Sequence, residues 1–252
     1  MAKKYSNIIS SKLFSGFCIT ELLILIVLKL TQAIHPDSVA KTLLMFSAIL
    51  FNALFMLFLV CRVKKAGKPT AVWGIPLAVF VTLLADVFLV LFDDFSRAEI
   101  IHFLSPLATT MIGFFVLGIV QVIYAFYMGM TKRRLVIRVA FYLAFVAALA
   151  AAGMLSLDRF IACLSMSQLI MNLIFVWIEH RKERTAASLL LALGITLFFG
   201  CDLFIMLRML LPAQGFIYDV ICFMVWIFYI PSQVLLTSSY LADRASAEKR
   251  SA

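Results

Sequence analysis

Long polar stretches are missing from this chain. Apart from its two tails, no polar segment is longer than about ten residues. No soluble domain is therefore expected to hang off the apolar core, and any chemistry must sit among apolar stretches or at their ends. Histidine is nearly absent. His35, His102 and His180 fall in loops or at the ends of apolar stretches, so neither a histidine-based metal site nor any other metal or cofactor is expected. The five cysteines, Cys18, Cys61, Cys163, Cys201 and Cys222, are odd in number and lie inside or beside apolar stretches. They read as small packing residues rather than disulfides or metal ligands.

Acids are outnumbered, 13 against 22 lysines and arginines, for a net charge of +9. The chain shows no zinc-finger spacing, no RNP-type motif and no basic helix of useful length, which argues against nucleic acid as a partner. The last apolar stretch carries no lysine for a retinal Schiff base.

What is present is apolar. At 64% of 252 residues, with a mean hydropathy of +1.07, roughly 161 residues are apolar, and a membrane-spanning helix takes about 20. That makes about eight spans. It excludes a soluble globular enzyme, a disordered chain and a secreted disulfide scaffold, and it disfavours an outer-membrane barrel, whose strands alternate. Eight stretches can be marked, at about 13–32, 42–61, 71–92, 104–128, 135–155, 160–178, 187–208 and 216–238. The predicted fold is all-α: one polytopic transmembrane domain over 1–252 with eight helices. The first stretch is too long for a signal-peptide core and has no small-residue cleavage motif after it. The segment from Glu99 to Pro106 reads as interfacial.

Loop charge sets the expected topology. The N-terminal tail, the second, fourth and sixth loops and the C-terminal tail hold sixteen basic residues, including Lys3, Lys64, Lys65, Lys68, Arg134 and Arg181. The opposite side has only Lys41, Arg97, Arg159 and Arg208. Lys29 and Arg138 lie near span ends and are expected to snorkel. By the positive-inside rule both termini are cytoplasmic, in a plasma or bacterial inner membrane. That requires an even number of spans.

Charge inside a span is costly, so each such residue is a candidate for function. Glu21, Asp86, Asp202 and Asp219 qualify. Asp86, in Ala85-Asp86-Val87-Phe88-Leu89, and Asp202, in Cys201-Asp202-Leu203-Phe204-Ile205, share a pattern: small residue, Asp, aliphatic, Phe, aliphatic. They stand 116 residues apart, while Gln121-Val122-Ile123 and Gln233-Val234-Leu235 stand 112 apart. This predicts a four-plus-four parallel repeat, with halves at about 13–128 and 135–238 related by an axis along the membrane normal. The repeat would place Asp86 and Asp202 at equal depth, able to meet across the bundle as an acid and base pair. The plainer alternative is that each pairs with a snorkelling arginine or caps a helix end. Glu21, near the middle of the first span, fits a polar cavity but has no repeat mate.

Two stripes at helical spacing are expected to face the bundle interior. One is Asp219, Cys222, Trp226, Tyr229 and Gln233; the other is Ser165, Gln168 and Asn172. They serve either as hydrogen-bonding glue between helices or as the lining of a polar cavity. Gly113 and Gly118 read as close-packing positions. By about 1.5 Å of rise per residue, Gln121 sits roughly 10 Å inward of Asp86.

In order, the chain shows Lys68-Pro69, Ala85-Asp86, Gly118 with Gln121 and Tyr124, Cys201-Asp202, and an aromatic-rich helix from Tyr229 to Gln233. Over roughly residues 40–240 this resembles the YhhN-like family of eight-span membrane proteins, which includes the lysoplasmalogenases. The chain departs from the family pattern at Ala85 (usually Gly), Cys201 (usually Ser) and Gln121 (typically His). The resemblance implies hydrolysis of the vinyl ether bond of a lysolipid substrate to a fatty aldehyde and a glycerophospho-alcohol. Asp86 and Asp202 would be the catalytic pair, and Glu21, Gln121, Tyr124, Asp219, Tyr229 and Gln233 would bind substrate or water. A small-solute or proton-coupled transporter and a non-catalytic lipid-binding protein are the alternatives. The oligomeric state is left open.

Overall fold

The computed structural model describes residues 12–34, 39–62, 69–93, 95, 100, 102–103, 105–210 and 215–251. The basic residues of the first eleven positions and of loop 63–68, His35, Pro212 and, in the segment expected to be interfacial, Glu99, Ile101 and Leu104 lie outside them. Among the described residues every long element is helical, and eight helices are long and apolar enough to cross a membrane. The chain is an all-α, multi-pass membrane protein.

The helices are α1 (Lys12–Ile34), α2 (Val39–Arg62), α3 (Pro69–Asp86), α4 (Pro106–Tyr127), α5 (Lys132–Ala151), α6 (Leu157–Glu183), α7 (Ala186–Leu210) and α8 (Phe216–Ser251). Local signals set several ends. Ser105 accepts from the Ala108 amide with Pro106 at the first helical position, which starts α4. Thr131 caps α5 through the Arg134 amide. Thr185 and Ser188 cap α7 reciprocally, each side chain taking the other's amide. Gly129, at φ +79°, lets the chain leave α4 and enter α5 at once. The eighth helix runs to Ser251 rather than ending near 238. Its polar extension continues the helix, and Ser238 to Ala242 are buried.

Neighbouring helices close a ring in the order α1, α2, α3, α4, α6, α7, α8 and back to α1, and α8 also reaches α2 and α3. The two most extensive helix contacts are α3 on α4 and α7 on α8. The remaining helix, α5, stands outside the ring against α6. Only 6% of its span is buried, against 61% for α6.

Candidate active site

The third span is not one continuous α-helix. Pro76 lies within α3, and directly after Asp86 the chain widens into a π-helical segment, Val87–Phe92, where the Asp93 amide donates to the Phe88 carbonyl. Such single π turns often mark functional positions. Gly113 on α4 makes room for it, since a Cβ there would lie 2.3 Å from Leu89 Cγ. Asp86 is thus held at the junction of two helical geometries, 7% exposed.

The Tyr229 hydroxyl donates to Asp86 Oδ2 at 2.5 Å. Tyr229 sits on α8, its ring edge-on to Trp226 at 5.6 Å and to Phe198 at 6.4 Å between centroids. Asp202, on α7, lies within Coulombic range of Asp86. Gly200 lets the Phe228 ring of α8 pack directly on α7, since a Cβ there would lie 2.4 Å from Phe228 Cδ1. Glu21, on α1, is within Coulombic range of Tyr229. Glu21 and Asp202 are each 3% exposed.

Asp86 thus links two sets of contacts, with Asp202 of α7 on one side and Tyr229 of α8, which Glu21 also approaches, on the other. Among the described residues none of the three acids forms an ion pair with a lysine or arginine. Asp202 Oδ1 and Glu21 Oε1 are buried with no hydrogen-bond partner. Among the described residues these acids do not take up the sequence alternative of pairing with a snorkelling arginine.

The other expected site residues divide. Gln233, one turn beyond Tyr229, accepts from Asn52 Nδ2 at 3.2 Å, and the Thr237 hydroxyl donates to Asn52 Oδ1 at 3.2 Å. Gln121 belongs to a separate group: Asn172 Nδ2 donates to its Oε1 at 2.9 Å and its carbonyl at 2.8 Å. Tyr124 is buried one turn away with an unpartnered hydroxyl. Asp219 is a correction. It is exposed in the first turn of α8, where an acid complements the positive end of the helix, and the buried part of its stripe begins only at Trp226. Arg138 is a second correction. It does not snorkel but is 2% exposed, the one buried side chain of α5.

Asn52 and Asp93 were missed. Asn52 is a lone amide in an apolar run, visible to a search for any polar residue within a span. Asp93 reads as a loop residue but is buried and accepts from Thr109. The repeat offset also had more to give: Arg138 stands 117 residues after Glu21 and Gln168 stands 116 after Asn52, close to the spacing of the Asp pair.

Comparison with protein-family models, curated proteins and solved structures finds no match.

Two carboxyl groups that interact in a buried site can serve as an acid and a base, one of them carrying a proton. Such a pair can deliver the proton to a substrate and stabilise the cation that results.

Proposed function

We propose that this protein is an intramembrane hydrolase that cleaves the vinyl ether bond of lysoplasmalogen-type lipids. The observation that supports the reading is that Asp86 and Asp202 are both buried and within Coulombic range of each other, in a chain whose motif order resembles the YhhN-like family. Asp86 is occupied as the acceptor of Tyr229, whereas Asp202 has a free oxygen. Asp202 is therefore the proton donor and Asp86 the fixed carboxylate. The proton adds to the vinyl carbon remote from oxygen, and the carbon next to oxygen becomes an oxocarbenium ion facing Asp86. Water adds there, losing a proton to the carboxylate pair, and the hemiacetal collapses to a fatty aldehyde and a glycerophospho-alcohol. The logic parallels glycoside hydrolysis, where two carboxyl groups also flank an oxocarbenium-like centre.

Glu21 and Tyr229 orient the pair, with Gln233 one turn inward. Both termini lie on the cytoplasmic side in this reading, and the single chain of a lysolipid lies between helices. The purified protein should release aldehyde from an alkenyl lysolipid. Asp86→Asn and Asp202→Asn should each lower the rate by about a hundredfold or more, the usual contribution of a positioned acid or base. An inactive wild type, or two variants with unchanged rates, refutes the proposal.

One observation favours a second reading, a proton-coupled transporter. The π-helical segment interrupts the third span beside a buried acid, and interrupted helices line transport sites. Uptake into proteoliposomes that depends on Asp202, without aldehyde release, would establish it.

A further inference from the structure

The buried arginine of α5 has no acid. Arg138 reaches across to α6, where Nη2 donates to Asn172 Oδ1 at 2.7 Å and Nη1 to Gln168 Oε1 at 3.2 Å. Its guanidinium also lies over the Phe175 ring, 5.1 Å from the centroid. All its hydrogen-bond acceptors are neutral carbonyls, and among the described residues it forms no ion pair. Arg134, one turn earlier, is neutralised by Glu179; Arg138 is not. A buried charge held only by neutral groups is expensive.

The surrounding polar atoms are short of an acceptor in the same way. Arg138 Nε, Gln121 Nε2 and the Ser165 hydroxyl are buried with no partner. Arg138 and Gln121 are linked through Asn172, since Arg138 bonds Asn172 and Asn172 bonds Gln121, and Ser165 stands one turn before Gln168 and two before Asn172 on α6. A guanidinium, a carboxamide and a hydroxyl with free donors match an anion with several acceptor oxygens.

We infer that Arg138, Gln121 and Ser165 form a binding site for a phosphate-type oxyanion, at the inner face of α5 and apart from the acid cluster. Two sources carry that chemistry, the headgroup of a membrane phospholipid and free phosphate. The surroundings suit a lipid. Outside the ring, α5 is bathed in the membrane, and Leu135, Ile137 and Val139 beside Arg138 are exposed apolar side chains. The start of α5 carries the exposed Lys132 and Arg133, basic residues that concentrate anionic lipid at that end.

The test uses the full chain in lipid-free detergent. Native mass spectrometry follows titration with a short-chain phosphatidic acid, with the matching diacylglycerol and with inorganic phosphate. The wild type should retain one phosphatidic acid, and retention should fall by about tenfold or more in Arg138→Gln, the effect of removing a charged hydrogen-bond donor. Ser165→Ala, which breaks no existing bond to a side chain, should weaken retention by about threefold or more. This second variant decides the matter if Arg138→Gln does not fold. Binding of phosphate alone, lost in the same variants, supports the site with a free anion as its ligand. Equal retention of diacylglycerol, or retention unchanged in both variants, overturns the inference.

Discussion

Replacing Tyr229 by Phe removes one oxygen from the centre of the proposed site and little else. The ring keeps its edge contacts with Trp226 and Phe198, and the lost atom is the donor that holds Asp86 Oδ2 at 2.5 Å. A hydrogen bond to a charged group contributes about 1.5–3 kcal/mol. Asp86 develops its interaction with substrate only when the oxocarbenium ion forms, so the loss should appear in the turnover rate. At about 1.4 kcal/mol per tenfold, kcat for aldehyde release should fall by roughly tenfold to a hundredfold. KM should change little, because the hydroxyl is engaged with Asp86 rather than with the lipid chain. The assay is initial-rate aldehyde release by purified wild type and Tyr229→Phe in the same detergent, with thermal unfolding as the check on folding. A folded variant whose kcat stays within about twofold of wild type would show that Tyr229 does not position the carboxylate and that Asp86 is not held for catalysis.

Asn52→Leu leaves Gln233 and Thr237 without their shared partner; it should lower stability by about 1–3 kcal/mol, read as a lower Tm in detergent, and no change would mean that the amide cluster is slack. Gly113→Ala drives a methyl into Leu89 and should cost about 1–3 kcal/mol through overpacking; because Leu89 belongs to the π segment after Asp86, aldehyde release should fall with it, and an unchanged Tm would show that the helices separate freely. Glu179→Gln breaks a partly exposed pair with Arg134 and should cost under about 1 kcal/mol, less at high salt; a larger, salt-independent loss would contradict the surface placement of that pair.

The eight spans were legible because apolar length is a strong signal and lipid leaves the backbone no choice but to bond within a helix. The acids Glu21, Asp86 and Asp202 were legible for the same reason in reverse, since each is costly unless it has company. Which way a polar side chain points was not legible wherever position along the span gave the wrong cue. Arg138, six residues into α5, has a side chain long enough to reach the interface, yet it turns inward to Gln168 and Asn172. Asp219 lies on a convincing stripe, but the stripe begins at the exposed first turn of α8. The π segment after Asp86 left no mark in the apolar pattern. Within that segment Leu89 packs against Gly113, a contact between helices rather than a property of either. The amide of Asn52 needed only a wider search, because a neutral polar residue in a span also has to find a partner.

The most direct test of the carboxyl pair is the fate of its proton. When purified protein hydrolyses an alkenyl lysolipid in deuterated water, the fatty aldehyde analysed by mass spectrometry should carry one deuterium on the carbon next to the carbonyl. That aldehyde should disappear with Asp202→Asn. Aldehyde without that deuterium, or deuterated aldehyde formed equally well by Asp202→Asn, would contradict protonation of the vinyl ether by the buried pair.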